Sequence, residues 1–266
     1  MTIEITRENQ RAVVTIANPD AHNSLTLDDL RTLSTAWDEL EADDDVRVII
    51  ITGQGDKAFC AGGNLKELIP LITETVGGAD DPVQAFREIE CLHRAFLKHE
   101  PLSKPLIAAV NGYCFAGGVE LLNATDIRIA VEDAVFSLQE PKWGLFPAAG
   151  STVRMPRQIP YPWAMEILLT GRRLSAAEAL AAGLVSRVVP RGELWDTVHQ
   201  LADTIAANGP LAVRHIKRSV LATRNLPLAE AFDEELRWAA PVFASEDARE
   251  GPRAFTEKRK PEFHGR

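Results

Sequence analysis

Two hydrophobic periods alternate along the first two-thirds of the chain. Ile3 to Thr6 and Arg11 to Ala17 are rich in β-branched residues and are separated by a polar turn, which predicts a hairpin ended by Asn18-Pro19-Asp20. Leu27, Leu30, Leu33, Trp37 and Leu40 then recur at helical spacing behind the capping pair Thr26 and Asp29, and the helix stops near Asp43 to Asp45. Val46 to Thr52 reads as a buried strand, with Gly53 to Lys57 as its exit loop. Phe59 to Leu68 is a glycine turn opening a helix. From Leu68 to Glu100 the pattern is least regular: Thr73 to Pro82 reads as a mobile connection and Val83 to His99 as one helix. Leu106 to Val110 is a short continuous apolar run, the mark of a fully buried strand, and Asn111-Gly112 closes it.

After Gly150 the period becomes helical. Ser151 to Pro160 and Tyr161 to Thr170 read as short helices, with Arg154 and Arg157 on the first available for salt bridges. Ser175 and Glu178 form a capping box, and Gly183 to Val189 supplies another strand. From Leu194 to Trp238 only helical patterns remain. Strands alternating with helices, followed by a purely helical end, predict an α/β chain with a boundary between a core at 1–195 and a helical unit at 196–266. No GxGxxG follows a strand, so a dinucleotide-binding fold has no support.

Composition narrows the function classes. The 266 residues are 45% hydrophobic and 25% charged, ordinary for a soluble globular protein, and the formal net charge of −9 argues against binding nucleic acid or an anionic membrane. No apolar run approaches the roughly 20 residues of a membrane-spanning helix, and Met1 to Gln10 lacks the features of a leader, so a cytoplasmic location is expected. Cys60, Cys91 and Cys114 make no even disulfide framework and are expected reduced. The six histidines are scattered, His93 and His99 lie too far apart for a one-face helical pair, and no metal site is visible.

Candidate chemistry concentrates between Leu106 and Gly150. Ala116-Gly117-Gly118 leads into a helix at Val119 to Ala124, so the glycine amides sit where no intrahelical acceptor exists and an anionic oxygen is favoured. A glycine backbone there could approach a carbonyl oxygen that becomes anionic, as an oxyanion hole requires. Glu120 falls in the first turn of that helix and Glu140 follows the run Ala134 to Gln139. Two carboxyls partly withdrawn from water and converging on one point push their titrations apart, which lets one site hold an acid and a base. Taken singly, a first-turn Glu is as often a dipole partner, and a Glu before Pro141 a solvated loop residue.

Asn111-Gly112-Tyr113, Ala116 through Leu121, Phe136 through Glu140, Gly144 and Pro147 together resemble the signature of the enoyl-CoA hydratase (crotonase) family. Phe59 to Leu68 is similar to that family's first oxyanion loop, with Asn64 in place of the usual Asp. Asn caps a helix about as well, so the loop shape should survive. The tail from Ser245 to Pro261 also resembles the family. The resemblance implies a spiral of ββα units with a C-terminal helical trimerisation domain, as a homo-trimer or a hexamer built as a dimer of trimers, and a variable lid at 68–100 over the acyl pocket. It implies Gly63 and Gly117 as oxyanion donors, Glu120 as base and Glu140 as acid, with exchange of the two roles open. Coenzyme A, carried as part of an acyl-CoA substrate with no tightly bound cofactor, would lie along Asp20, Ala21 and His22 and along Ala61, Gly63, Asn64, Leu65 and Lys66. Phe255 and Lys258 would reach the coenzyme A of a neighbouring subunit. Hydration of a 2-enoyl-CoA follows, with a carnitinyl-CoA dehydratase, an enoyl-CoA isomerase or a catalytically silent acyl-CoA-binding subunit as alternatives.

Overall fold

The first polar turn closes as its pattern predicts. In the computed structural model, which describes residues 2–266, β1 (Ile3–Glu8) and β2 (Arg11–Ile16) pair antiparallel across Asn9 and Gln10. Both turn residues are left-handed, at φ 51° and 63°, the geometry that matches the twist of the flanking strands. Met1, part of the stretch read as lacking a leader, lies outside the described residues. α1 (Leu27–Ala42) carries the full Thr26–Asp29 capping box and buries Leu30, Leu33, Trp37 and Leu40. Its last turn is closed by Lys104, whose Nζ donates to the carbonyls of Leu40 (2.6 Å) and Asp43.

A unit of two strands and a helix then repeats. The first holds β3 (Val48–Gly53), β4 (Ala58–Cys60) and α2 (Leu68–Gly77), followed by two short helices, α3 (Pro82–Arg87) and α4 (Glu90–Ala95). β5 (Leu106–Val110), β6 (Tyr113–Phe115) and α5 (Gly117–Leu122) form the second. β7 (Ile127–Val131), β8 (Val135–Ser137), a 3-10 turn at Glu140–Trp143 and α6 (Ser151–Gln158) form the third. The larger sheet has the order β1-β2-β3-β5-β7-β10 and the smaller β4-β6-β8-β9, once β9 (Leu174–Ser175) and β10 (Arg187–Val189) are placed around α7 (Tyr161–Thr170) and α8 (Ala176–Ala181). Each unit therefore advances one place in both sheets, which is the expected spiral. Every residue of β3 and β5 is buried, and this is why both read as apolar runs with little alternation. Burying each of Ile49, Ile50 and Ile51 contributes on the order of 1.5–3 kcal/mol.

α9 (Leu194–Ala206) still belongs to this core, since Leu194, Val198, Ala202 and Ala206 pack beneath the larger sheet. Only α10 (Pro210–Thr223) and α11 (Leu228–Ala244) leave it, with no buried residue of their own. α12 (Asp247–Thr256) ends the helical part.

The lid differs from its sequence reading. α2 runs through to Gly77, so the connection read from Thr73 shrinks to the residues before Pro82, and its helix begins at Leu68 rather than beside Asn64. The single helix expected from Val83 to His99 is two. His93 Nε2 lies 2.9 Å from the Phe86 carbonyl, the acceptor a continuous helix would offer to Glu90, and Glu90 N donates instead to Glu88 O. Leu97 then takes φ 50° and reverses the chain, which brings the His93 and His99 rings to 5.4 Å despite their sequence spacing.

Candidate active site

The loops leaving β4 and β6 touch, and glycine is what lets them. Gly62 sits at φ 95°, and a Cβ there would come within 2.9 Å of Gly117 N; a Cβ on Gly118 would meet Cys60 O at 2.2 Å. Around Gly63, Leu25 N donates to Gly62 O (2.8 Å) and Asn64 N to Leu25 O (2.7 Å), which leaves the Gly63 amide itself without an acceptor. Gly117 opens α5, so its amide is also free. A Cβ built on Gly117 would stand 3.4 Å from Gly63 N. Two unsatisfied donors thus face one small space. Ala116, just before them, is held at φ 49° and ψ −120°, a strained conformation for a residue with a side chain.

Glu120, buried one turn into α5, accepts a hydrogen bond from Ser151 N on Oε1 (3.2 Å). Burial, and after it the charge of Glu140, pushes its carboxyl up to about 8, while the Ser151 and Ala149 amides and Lys98 pull the other way. Glu140 opens the 3-10 turn; burial raises its carboxyl too, and its Oε2 is buried with no partner. Gly63, Gly117, Glu120 and Glu140 all line one cavity of about 410 Å³. Amide donors and two raised carboxyls in an apolar cleft can hold an oxygen that turns anionic and can move protons beside it.

The remaining sequence candidates divide. Ala61 and Leu65 line the same cavity. Asn64 Oδ1 accepts from Lys66 N (3.1 Å), so it shapes the loop instead of capping α2, and Lys66 is exposed. Asp20, Ala21 and His22 lie exposed on a 3-10 turn that abuts this loop: Ala61 N donates to His22 O (3.0 Å), and the His22 ring stacks on Tyr113. Phe255, 86% exposed, and Lys258 lie outside the cavity of their own chain.

Sequence reasoning missed three residues around the site. Among the described residues Arg154 makes no salt bridge; it donates to the carbonyls of Phe96 (2.8 Å) and Leu97, and Arg157 donates to Val153 O (2.7 Å). Phe96 is pressed against Gly117, its Cζ 3.3 Å from where a Cβ there would be. Lys98 turns inward onto His93 Nδ1 (3.4 Å). No motif marks any of the three. Cys60 and Cys114 are register partners, and burial pushes the Cys60 thiol up to about 12, so it is inert. Among the described residues no group of three or more His, Cys, Asp or Glu is arranged to hold a metal, and no helix is long and apolar enough to cross a membrane.

Comparison with known proteins identifies the family. The family model described as enoyl-CoA hydratase/isomerase matches residues 6–266. The enoyl-CoA hydratase EchA19 of Mycobacterium tuberculosis is 45% identical over 264 residues, covering 98% of this chain and 96% of its own. The carnitinyl-CoA dehydratase of Proteus mirabilis is 42% identical over 228 residues, covering 84% of each chain. A crystal structure of an enoyl-CoA hydratase from Bacillus anthracis superposes with a TM-score of 0.90 at 35% identity, over the whole of both chains.

Proposed function

Because this chain belongs to the enoyl-CoA hydratase/isomerase family, we propose that it catalyses the reversible syn addition of water to a 2-enoyl-CoA thioester, giving the 3-hydroxyacyl-CoA. One observation carries the reading: two free amides and two buried carboxyls, from three separate stretches of chain, border the same cavity. The Gly63 and Gly117 N–H groups hold the thioester oxygen and stabilise the enolate-like charge that develops as water adds at C3. One such donor is typically worth on the order of 100 to 1,000-fold in rate.

The two carboxyls share a single proton near neutral pH. Glu120 accepts from the amides of Ser151 and Ala149, which support its charge, whereas Glu140 has only its own backbone amide and a bare Oε2. Burial and the charge of Glu140 outweigh that support and push the Glu120 carboxyl up to about 8, so in the free site the proton rests on Glu120. Passing it to Glu140 as substrate binds leaves Glu120 to deprotonate the water and Glu140 to deliver a proton to C2; the exchanged roles need no such transfer.

The coenzyme A moiety would run over the Asp20 to His22 turn and the Ala61 to Lys66 loop, with no tightly bound cofactor. The exposed apolar residues Phe232, Leu236 and Phe243 of α11 suit burial between subunits of a trimer or hexamer, and the outward Phe255 and Lys258 suit contact with a neighbour's coenzyme A. Of the helical unit expected at 196–266, α10 and α11 would serve that assembly, since α9 packs in the core, and a cytoplasmic location goes with three free cysteines.

Loss of the conjugated thioester absorbance of crotonyl-CoA tests the reaction in wild type, Glu120→Gln and Glu140→Gln. Hydration that falls by at least 100-fold in each variant supports it. Turnover surviving Glu120→Gln favours a one-carboxylate isomerase, and binding without turnover in all three forms favours a silent subunit.

A further inference from the structure

One face of α5 carries two polar side chains, and both take hold of the same residue. Glu120 and Asn123, the residue that caps the helix, are three positions apart and so stand one above the other. Ser151, the first residue of α6, donates its N–H to Glu120 Oε1 (3.2 Å) and accepts on Oγ from Asn123 Nδ2 (3.1 Å). All three residues are buried.

The far end of α6 is fixed separately. Gln158 Nε2 and Arg128 Nη2 both donate to the Asn123 carbonyl (3.0 and 3.3 Å), and Arg128 Nη2 also donates to Gln158 Oε1 (2.8 Å). At Asn123 these bonds use the main chain, so they survive any change of its side chain. What the side chain adds is the placement of Ser151.

Neither backbone nor packing asks for an amide at this position. Asparagine is favoured where a helix cap turns left-handed, but Asn123 ends α5 in the right-handed region at φ −65°. Its Oδ1 is buried with no hydrogen-bond partner among the described residues. Such an atom costs stability that an apolar side chain of the same shape would not. The one hydrogen bond the side chain does make goes to the residue that holds Glu120.

We propose that Asn123, acting through Ser151, is a positioning residue for Glu120: it holds the Ser151 N–H against Oε1 and so fixes the direction in which the carboxyl faces the cavity, a role that rests on the hydratase reading above.

The test compares wild type with Ser151→Ala and with the double variant Asn123→Leu/Ser151→Ala, which removes both partners while leucine keeps the branching of asparagine. kcat and KM are measured for crotonyl-CoA, the urea midpoint reports stability, and the Glu120 carboxyl is titrated by infrared spectroscopy, its band assigned by its loss in Glu120→Gln. Glu120 is faced by the charges of Glu140 from the 3-10 turn, Lys98 from the lid and Arg154 from α6, and both variants keep all three. Each variant should lower kcat by about tenfold with KM unchanged. Each should also move the Glu120 titration, which stands at about 8, upward by about 0.5–1 pH unit, because a hydrogen bond to the ionised carboxyl is weakened. The double variant should keep the urea midpoint of wild type. A titration that does not move, or a kcat equal to that of wild type, overturns the proposal whatever the urea midpoint does. Failure of wild type to hydrate crotonyl-CoA would refute the reaction, and the titration alone would then decide whether Asn123 positions Glu120.

Discussion

Glu120 should cost the fold stability in a way that depends on pH, and Glu120→Gln isolates that cost. Its carboxyl titrates at about 8 in the protein against an ordinary 4.5, with burial the largest cause and the charge of Glu140 the second. A group whose pKa is raised on folding gives stability that is fully present below the unfolded value and is lost as pH rises through the folded one. At 1.36 kcal/mol per pH unit, the loss for wild type is about 3 kcal/mol by pH 7 and levels off at about 5 kcal/mol above pH 8. Glutamine keeps the shape and the acceptor for Ser151 N–H but cannot ionise. Urea unfolding followed by circular dichroism at pH 5, 7 and 8.5 should therefore find the variant close to wild type at pH 5 and more stable by several kcal/mol at pH 8.5. The same variant should lose hydration by about 100 to 10,000-fold, because one of the two carboxyls proposed to move protons is gone. A stability difference between the two proteins that is the same at all three pH values would refute the reasoning, since the carboxyl would then titrate alike in the folded and unfolded chain.

Three further outcomes follow from other parts of the structure. kcat/KM for crotonyl-CoA, which reports the free enzyme, should fall about tenfold per unit above pH 8 as the carboxyl pair loses its last proton, and a profile flat from pH 7 to 10 would contradict the shared proton. Asn111→Leu should lower stability by about 1–3 kcal/mol in urea, because Asn111 Nδ2 donates to the carbonyls of Gly53, Gly55 and Ala58, of which Ala58 O keeps Asn23 Nδ2 as a second donor. Gly118→Ala places a Cβ 2.2 Å from Cys60 O and should push the Gly63 and Gly117 loops apart, lowering kcat more than tenfold. Gly183→Ala, left-handed but with nothing within 4 Å, should cost only about 1 kcal/mol of stability, and equal effects of the two on kcat would refute the close-approach argument.

What could be read along the chain is what is encoded locally. The Asn9-Gln10 turn, the Thr26–Asp29 box and the fully buried β3 and β5 each announce themselves within a few residues, because capping, turn chemistry and burial on both faces leave local marks. The meeting of Gly63 and Gly117 leaves none. It depends on β4 and β6 pairing through Cys60 and Cys114, two strands of three residues each, too short for any period to show. Only the resemblance of two stretches, Phe59 to Leu68 and Asn111 to Pro147, to one family points to it. The lid failed for a related reason: its apolar positions suit one helix, but a side chain, His93, takes the carbonyl that would have continued it.

That failure bears on function more than its length suggests. The spiral brings the exit loops of successive small-sheet strands to the same edge, so the amides and carboxyls sit on a rigid frame set by strand register. The acyl wall has no such frame. It is built from short helices held by side chain to main chain bonds, Trp37 Nε1 to Ala95 O (2.9 Å) and Arg154 to Phe96 O (2.8 Å) among them. Those bonds join α1, α4 and α6, elements whose mutual approach no local pattern encodes. A few substitutions there can reshape the acyl wall while the reacting groups stay in place. The glycine loops and the paired carboxyls are therefore legible before the apolar wall of the cavity, which has to be read from the contacts of Phe86 and Phe96.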